Sequence, residues 1–205
     1  MPFIIITGII IVICIILLVA IFTYKKEESD YEYEQRQIKN AGKMGEYVFN
    51  KIIYDILNND DILLNNVELD VNGKEAEIDN LIINKNGIFI IEVKNYVGTL
   101  YGTADDYEWE KEKTSPGGNV FTKQVKKPIR QIKRQVYILS QYLKENNIRI
   151  WIEGYAYFVN SNSPVENEYI LNDIYELEQI IHRKQNKVYD DKKINKAIRL
   201  LSMCE

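Results

Sequence analysis

The sequence predicts an α/β domain carried behind an apolar N-terminal helix. Three observations predict it. An uncharged apolar run covers Phe3 to Phe22; two apolar strand patterns meet at Asn84-Lys85-Asn86-Gly87; and amphipathic helical patterns lie on either side of that hairpin, the second followed by a further strand pattern.

Residues 3–22 are interrupted only by Thr7, Gly8 and Cys14. As a helix such a run spans about 30 Å, the thickness of a bilayer's hydrocarbon core. A secretory signal peptide fits poorly, because no basic residue precedes the run and no small-residue cleavage site follows it. Lys25 and Lys26 come directly after it. The expectation is a single-pass anchor over 1–24 in the cell membrane, with the C-terminal body in the cytoplasm. Residues 25–37, dense in both charge signs, read as a polar linker or a helix start. From there a helix runs to about Leu57, with Ile38, Ala41, Met44, Val48, Ile52 and Ile56 as its apolar stripe. Asp61 to Leu69 is the first strand. The hairpin follows, and two short strands, 99–103 and 107–112, come after it. A loop is built on Ser115-Pro116-Gly117-Gly118. Pro128 opens a helix to about Asn146, and 150–159 is a strand. The patterns over 171–184 and 192–203 are amphipathic helices that form a C-terminal extension (166–205) to a main domain at 38–165. The two cysteines, Cys14 and Cys204, stand at opposite ends of the chain and suit no disulfide framework or structural zinc site.

The hairpin carries the chemistry. A two-residue loop at Lys85-Asn86, or a four-residue loop at 84–87, sets Asp79 opposite Glu92. A loop at Asn86-Gly87 sets it opposite Lys94. With side chains alternating, Asp79, Glu92 and Lys94 share one face in either register. Two carboxylates roughly 4 Å apart repel by about 4 kcal/mol at an effective dielectric near 20. Among Ile, Leu, Val and Phe, little water screens them. A proton or a cation must intervene. Lys94 is one cation; a hard divalent ion such as Mg²⁺, with Mn²⁺ as a substitute, would supply the rest. Carboxylates, a metal and a lysine together suit hydrolysis of phosphodiesters. The structural alternative is an ion network of Lys94, Glu92 and Asp79 with no metal.

Several segments resemble the nuclease-related domain (NERD) family of the PD-(D/E)xK phosphodiesterase superfamily. They are Gly42-Lys43-Met44-Gly45-Glu46, Glu77-Ile78-Asp79-Asn80, Gly87 to Asn95 with Gly98, and Pro128-Ile129-Arg130-Gln131, in that order over about residues 42–160. The resemblance implies a restriction-endonuclease-like core: helix, three strands, helix, strand, around a mixed central sheet. It implies that Asp79 and Glu92 bind metal and that Lys94 is the catalytic lysine. Glu46 would add a carboxylate and Gln131 a polar contact. Asn80 stands where the family often has His, and Lys127 where it often has Asn.

The net charge of −4 does not advertise a nucleic-acid binder. Locally the balance differs, because no acidic residue occurs between Glu112 and Glu145. Lys126, Lys127, Arg130, Lys133 and Arg134 fall at the start of the second helix and are candidate phosphate contacts for DNA or RNA. A solvated helix face or a face turned to anionic lipid are the alternatives. The only histidine, His182, falls on a charged C-terminal helix pattern, a poor setting for a Ser-His-Asp or Cys-His centre. No phosphate-binding Gly-rich loop occurs. The expected function is a membrane-anchored, Mg²⁺-dependent nuclease. The alternative is a catalytically silent, membrane-tethered module of the same fold that binds nucleic acid or lipid.

Overall fold

Helix α1 (Pro2–Ile53) opens the chain. The computed structural model describes residues 2–115, 117–183 and 188–204; the side chains of 2–14, 27, 29, 30 and 34 lie outside the described residues. The chain divides into two units, Met1–Ala41 and Gly42–Glu205.

In the first unit, residues 25–37 are helical. The stretch contains no Gly or Pro, and Arg36 and Glu32 pair one turn apart at 3.9 Å. Much of the apolar run expected to cross a membrane falls on side chains outside the described residues. Among the described residues, no helix is long and apolar enough to cross a membrane.

In the second unit α1 ends against a sheet through Gly45, Phe49 and Ile53, with Ile56 just beyond it. This corrects the expected stripe: Met44 is 57 % exposed. The contact is made by a glycine, which a count of apolar residues cannot see. A Cβ on Gly45 would stand 2.6 Å from the Asn95 Cβ.

Strand β1 (Ile62–Val71) turns at Asn72-Gly73 into β2 (Lys74–Asn84), which turns at Lys85-Asn86 into β3 (Gly87–Lys94). Asn72 and Gly73 both have positive φ, 54° and 74°, the turn whose twist suits a two-residue hairpin. Asn84 pairs with Gly87, so the two-residue loop at Lys85-Asn86 is the register adopted. The Asn84 side-chain oxygen accepts the Asn86 N–H at 2.9 Å and closes that turn.

Next come β4 (Thr99–Tyr101), β5 (Glu108–Thr114) and β6 (Val120–Lys126), a separate three-stranded antiparallel sheet. Helix α2 (Pro128–Glu145) returns the chain to β7 (Ile152–Phe158), which lies parallel to β3. A parallel neighbour requires such a crossover. Strand β8 (Ile170–Leu171) adds one more parallel partner, and helices α3 (Ile174–His182) and α4 (Asp191–Leu201) follow. The main sheet has the order β1-β2-β3-β7-β8 and is mixed, an α/β arrangement consistent with a restriction-endonuclease-like core. Helices α2 and α4 pack on one face through Ile138, Leu139, Ile194 and Leu201. The end of α1 and α3 cover the other through Phe49, Ile53, Leu177 and Ile181. The sheet is therefore buried on both faces, which explains the unbroken apolar run Ile88 to Ile91.

Candidate active site

The β1–β2 ladder skips one pair. Asn65 pairs with Asn80 and Val67 with Ile78, while Asn66 and Asp79 are left out. Asn66 has φ 52°, a left-handed conformation that Asn tolerates better than most residues. At this kink the alternation slips by one: Ile78, Leu81 and Ile83 all join the α2-side core. Irregularities of this kind re-aim side chains. The β2–β3 ladder also ends here, with Asn80 opposite Ile91 as its last pair. Asp79 thus stands where β2 leaves β3. Its Oδ2 accepts the Val93 backbone N–H at 3.1 Å.

Beyond that point β3 is held by β7, with Glu92 beside Ala156 and Lys94 beside Phe158. Glu92 is only 3 % exposed. Lys94 Nζ donates to Glu92 Oε1 at 2.6 Å and to Gln131 Oε1 at 3.1 Å. The second Glu92 oxygen, Oε2, accepts from Gln135 Nε2 at 2.8 Å, and the same amide donates to the Glu77 carbonyl at 2.8 Å. Gln131 and Gln135 are one helical turn apart, so α2 fixes the lysine with one amide and the carboxylate with the next. Gln135 was not anticipated. Its signal was an amide inside the buried stripe Ile132, Ile138 and Leu139.

The electrostatics follow from burial. The Asp79 carboxyl is pushed up to about 7 by desolvation first and by Glu92 next; the Val93 N–H and Lys94 oppose this, and Glu46 adds to it. Glu46, half-buried on α1, therefore belongs to the same electrostatic cluster. For Lys94, burial alone would lower the ammonium's pKa, but Glu92, Tyr96 and Asp79 outweigh it and the net direction is upward. The Tyr96 phenol is raised by burial, opposed by Lys94. Asn80 is buried beside the cluster with its side-chain oxygen unpartnered.

Asp79, Glu92, Lys94, Glu46 and Gln131 thus share one neighbourhood. The five basic residues at the start of α2 have different partners. Lys127 Nζ donates to the Ala104 carbonyl. Arg130 stacks over the Tyr107 ring at 4.4 Å and Lys133 over Tyr169 at 4.9 Å. Arg134 lines a cleft with Glu68, Asp70, Glu75 and Glu77, a poor setting for phosphate. Lys126 is exposed at the end of β6.

Among the described residues, no three His, Cys, Asp or Glu side chains stand together as a ready metal cage. Mg²⁺ does not require one: it commonly takes one or two carboxylates and keeps its waters. Two oxygen donors, Asp79 and Glu92, fit that requirement; burial and then the Glu92 charge push the Asp79 carboxyl up to about 7, so a cation is favoured between them.

The model of the nuclease-related domain (NERD) family matches residues 41–159. No curated protein and no solved structure matches the chain.

Proposed function

Because the chain belongs to the nuclease-related domain family, we infer that it hydrolyses phosphodiester bonds of nucleic acid with Mg²⁺, at the Asp79–Glu92–Lys94 centre. The observation that carries this is the buried Lys94–Glu92 pair at 2.6 Å, clamped by Gln131 and Gln135, beside a second carboxylate that burial leaves partly protonated. A solvated strand face has no use for such a clamp. A metal-free network of Lys94, Glu92 and Asp79 gains little from an Asp79 carboxyl that burial pushes toward its protonated form.

Asp79 and Glu92 would hold the ion, which supplies positive charge against the phosphate and acidifies a water when bound. The rest falls to the chain itself. Lys94, kept an ammonium by its acidic neighbours, donates to the attacking water or a phosphate oxygen and offsets the charge that develops as the P–O bond breaks. Gln131 holds the ammonium in position and Gln135 holds Glu92. Glu46 supplies a third carboxylate from α1, suited to take up the proton that the water loses.

Residues 3–22 act as a single-pass anchor, with Lys25 and Lys26 holding the domain on the cytoplasmic side. A reporter fused after residue 205 tests this, and a reporter found outside the cell would sink it. Lys126, Lys127, Arg130, Lys133 and Arg134 remain proposed phosphate contacts, with Lys126 and Arg130 the best placed.

The closed hydrogen bonding of Glu92 favours one second reading, a silent module in which Lys94 replaces the metal permanently. Calorimetric Mg²⁺ titration separates the two. The catalytic reading expects binding that Glu92→Gln abolishes; absence of binding by the parent protein at millimolar Mg²⁺ would favour the silent module.

A further inference from the structure

The chain between Lys94 and Pro128 leaves the main sheet, forms β4, β5 and β6, and returns. Its two roots meet at the proposed active site, where Lys94 Nζ donates to Gln131 Oε1 and the Tyr96 hydroxyl donates to the Lys126 carbonyl at 3.4 Å. The sheet's inner end is anchored. Trp109 is fully buried, its Nε1 donates to the Thr103 carbonyl at 3.0 Å, and its ring lies 6.2 Å from that of Phe158. Phe158 is the cross-strand neighbour of Lys94.

The register sorts this sheet's charges. Trp109 pairs with Val125, Lys111 with Lys123 and Lys113 with Phe121, while Leu100 pairs with Lys111. Paired residues share a face and alternate residues do not. One face therefore carries Leu100, Trp109 and Val125 at its anchored end and Lys111, Lys113, Lys123 and Phe121 beyond them. The three glutamates of β5, Glu108, Glu110 and Glu112, are all on the other face. Phe121 is 61 % exposed on the lysine face. An isolated three-stranded sheet could place its charges at random. Here every lysine of β5 and the central lysine of β6 stand with the exposed aromatic ring.

We propose that this lysine–phenylalanine face is a platform for single-stranded nucleic acid, which leads the strand to the Asp79–Glu92–Lys94 centre. The proposal rests on the nuclease reading and deepens it, because it selects the substrate class. Lysines attract any polyanion, and for that reason they do not discriminate among nucleic acids. The exposed Phe121 ring, opposite Lys113 at the outer end of the face, does discriminate. It stacks on a base whose face is open, which a single strand offers and the interior of a duplex does not. DNA and RNA share this chemistry, so both are tested.

The test is anisotropy titration of the full chain in detergent with labelled 12-nucleotide DNA and RNA strands and a duplex of the same length. EDTA is present throughout, so binding is read without hydrolysis. Either or both single strands should bind at least about tenfold more tightly than the duplex. Phe121→Ala should lose about tenfold on single strands and little on the duplex, while Phe121→Trp should retain binding and show quenched emission when a strand is added. Lys113→Gln with Lys123→Gln should reduce the salt slope for single strands by about 1.4. Equal affinity for duplex and single strand, an unchanged salt slope, or a Phe121→Ala protein that is folded by circular dichroism and binds normally would each overturn the proposal. So would a face that takes a soluble short-chain anionic lipid in preference to either strand. Failure of hydrolysis at the metal centre leaves these binding measurements unaffected, and hydrolysis that survives the platform variants refutes the platform alone.

Discussion

Asn66 faces Asp79 across the one pair that the β1–β2 ladder omits, and its left-handed φ of 52° marks the kink that frees Asp79 from regular pairing. A local backbone choice on one strand is coupled to the position of a carboxylate on the next. Asn66→Gly should keep the kink and Mg²⁺ binding, since glycine adopts this conformation freely. Asn66→Val should cost about 1–2 kcal/mol and weaken Mg²⁺ binding, because a β-branched residue resists positive φ. Thermal unfolding with and without Mg²⁺ reads both effects. Equal behaviour of the two variants would show that the kink is incidental.

Gln135 should matter more for stability than its neutral amide suggests. Glu92 is buried, and Gln135→Met leaves Glu92 Oε2 and the Glu77 carbonyl without their donor. A lost hydrogen bond to a buried charged group costs about 1.5–3 kcal/mol. Urea denaturation should show that loss. Gln131→Met, on an exposed position, should lose much less stability and act mainly on hydrolysis.

The Asp79 carboxyl imposes a pH dependence of known sign. Its folded-state value of about 7 lies above the ordinary 3.8 through burial and then Glu92, so the folded state holds the proton more tightly than the unfolded chain. Its contribution favours the native state at acidic pH and is lost as pH rises from about 4 to about 7. Asp79→Asn should remove that slope, which urea midpoints at about pH 5 and about pH 8 will show. Mg²⁺ competes with the same proton, so its apparent affinity should climb with pH up to about 7 and then level off. A parent protein and variant with parallel profiles would contradict the assignment.

Gly45→Ala should disturb the site from a distance of one strand. The added Cβ would lie 2.6 Å from Asn95 Cβ, and α1 must shift to relieve it. Glu46 moves with that helix. The expected result is a lower melting temperature and slower hydrolysis. An unchanged melting temperature would mean that the Asn95 loop yields in place of α1.

Much of the site was legible because its signals are local. The Lys85-Asn86 loop sets the hairpin register, and the shared face of Glu92 and Lys94 follows from alternation, whereas Asp79 lies beyond the last β2–β3 pair and is placed by the kink at Asn66. What depends on tertiary contact was harder to read. The α1 stripe was misphased because the contact residue is Gly45, chosen for the nearness of Asn95 and invisible to apolar periodicity. Strand β6 went unassigned because six of its seven residues are exposed; it is stabilised by pairing with β5 and has no buried face to betray it. For the basic residues of α2, helical spacing gives their angle but not their partners, which are Tyr107 for Arg130, Tyr169 for Lys133 and an acidic cleft for Arg134.

The central claim is tested most directly by incubating the full chain with labelled single-stranded and duplex DNA and RNA, with Mg²⁺ or with EDTA, alongside Lys94→Ala. The account predicts cleavage only with the metal, and a fall of at least about 100-fold in Lys94→Ala although Mg²⁺ still binds. No cleavage by the parent protein, or cleavage that Lys94→Ala leaves intact, would contradict it.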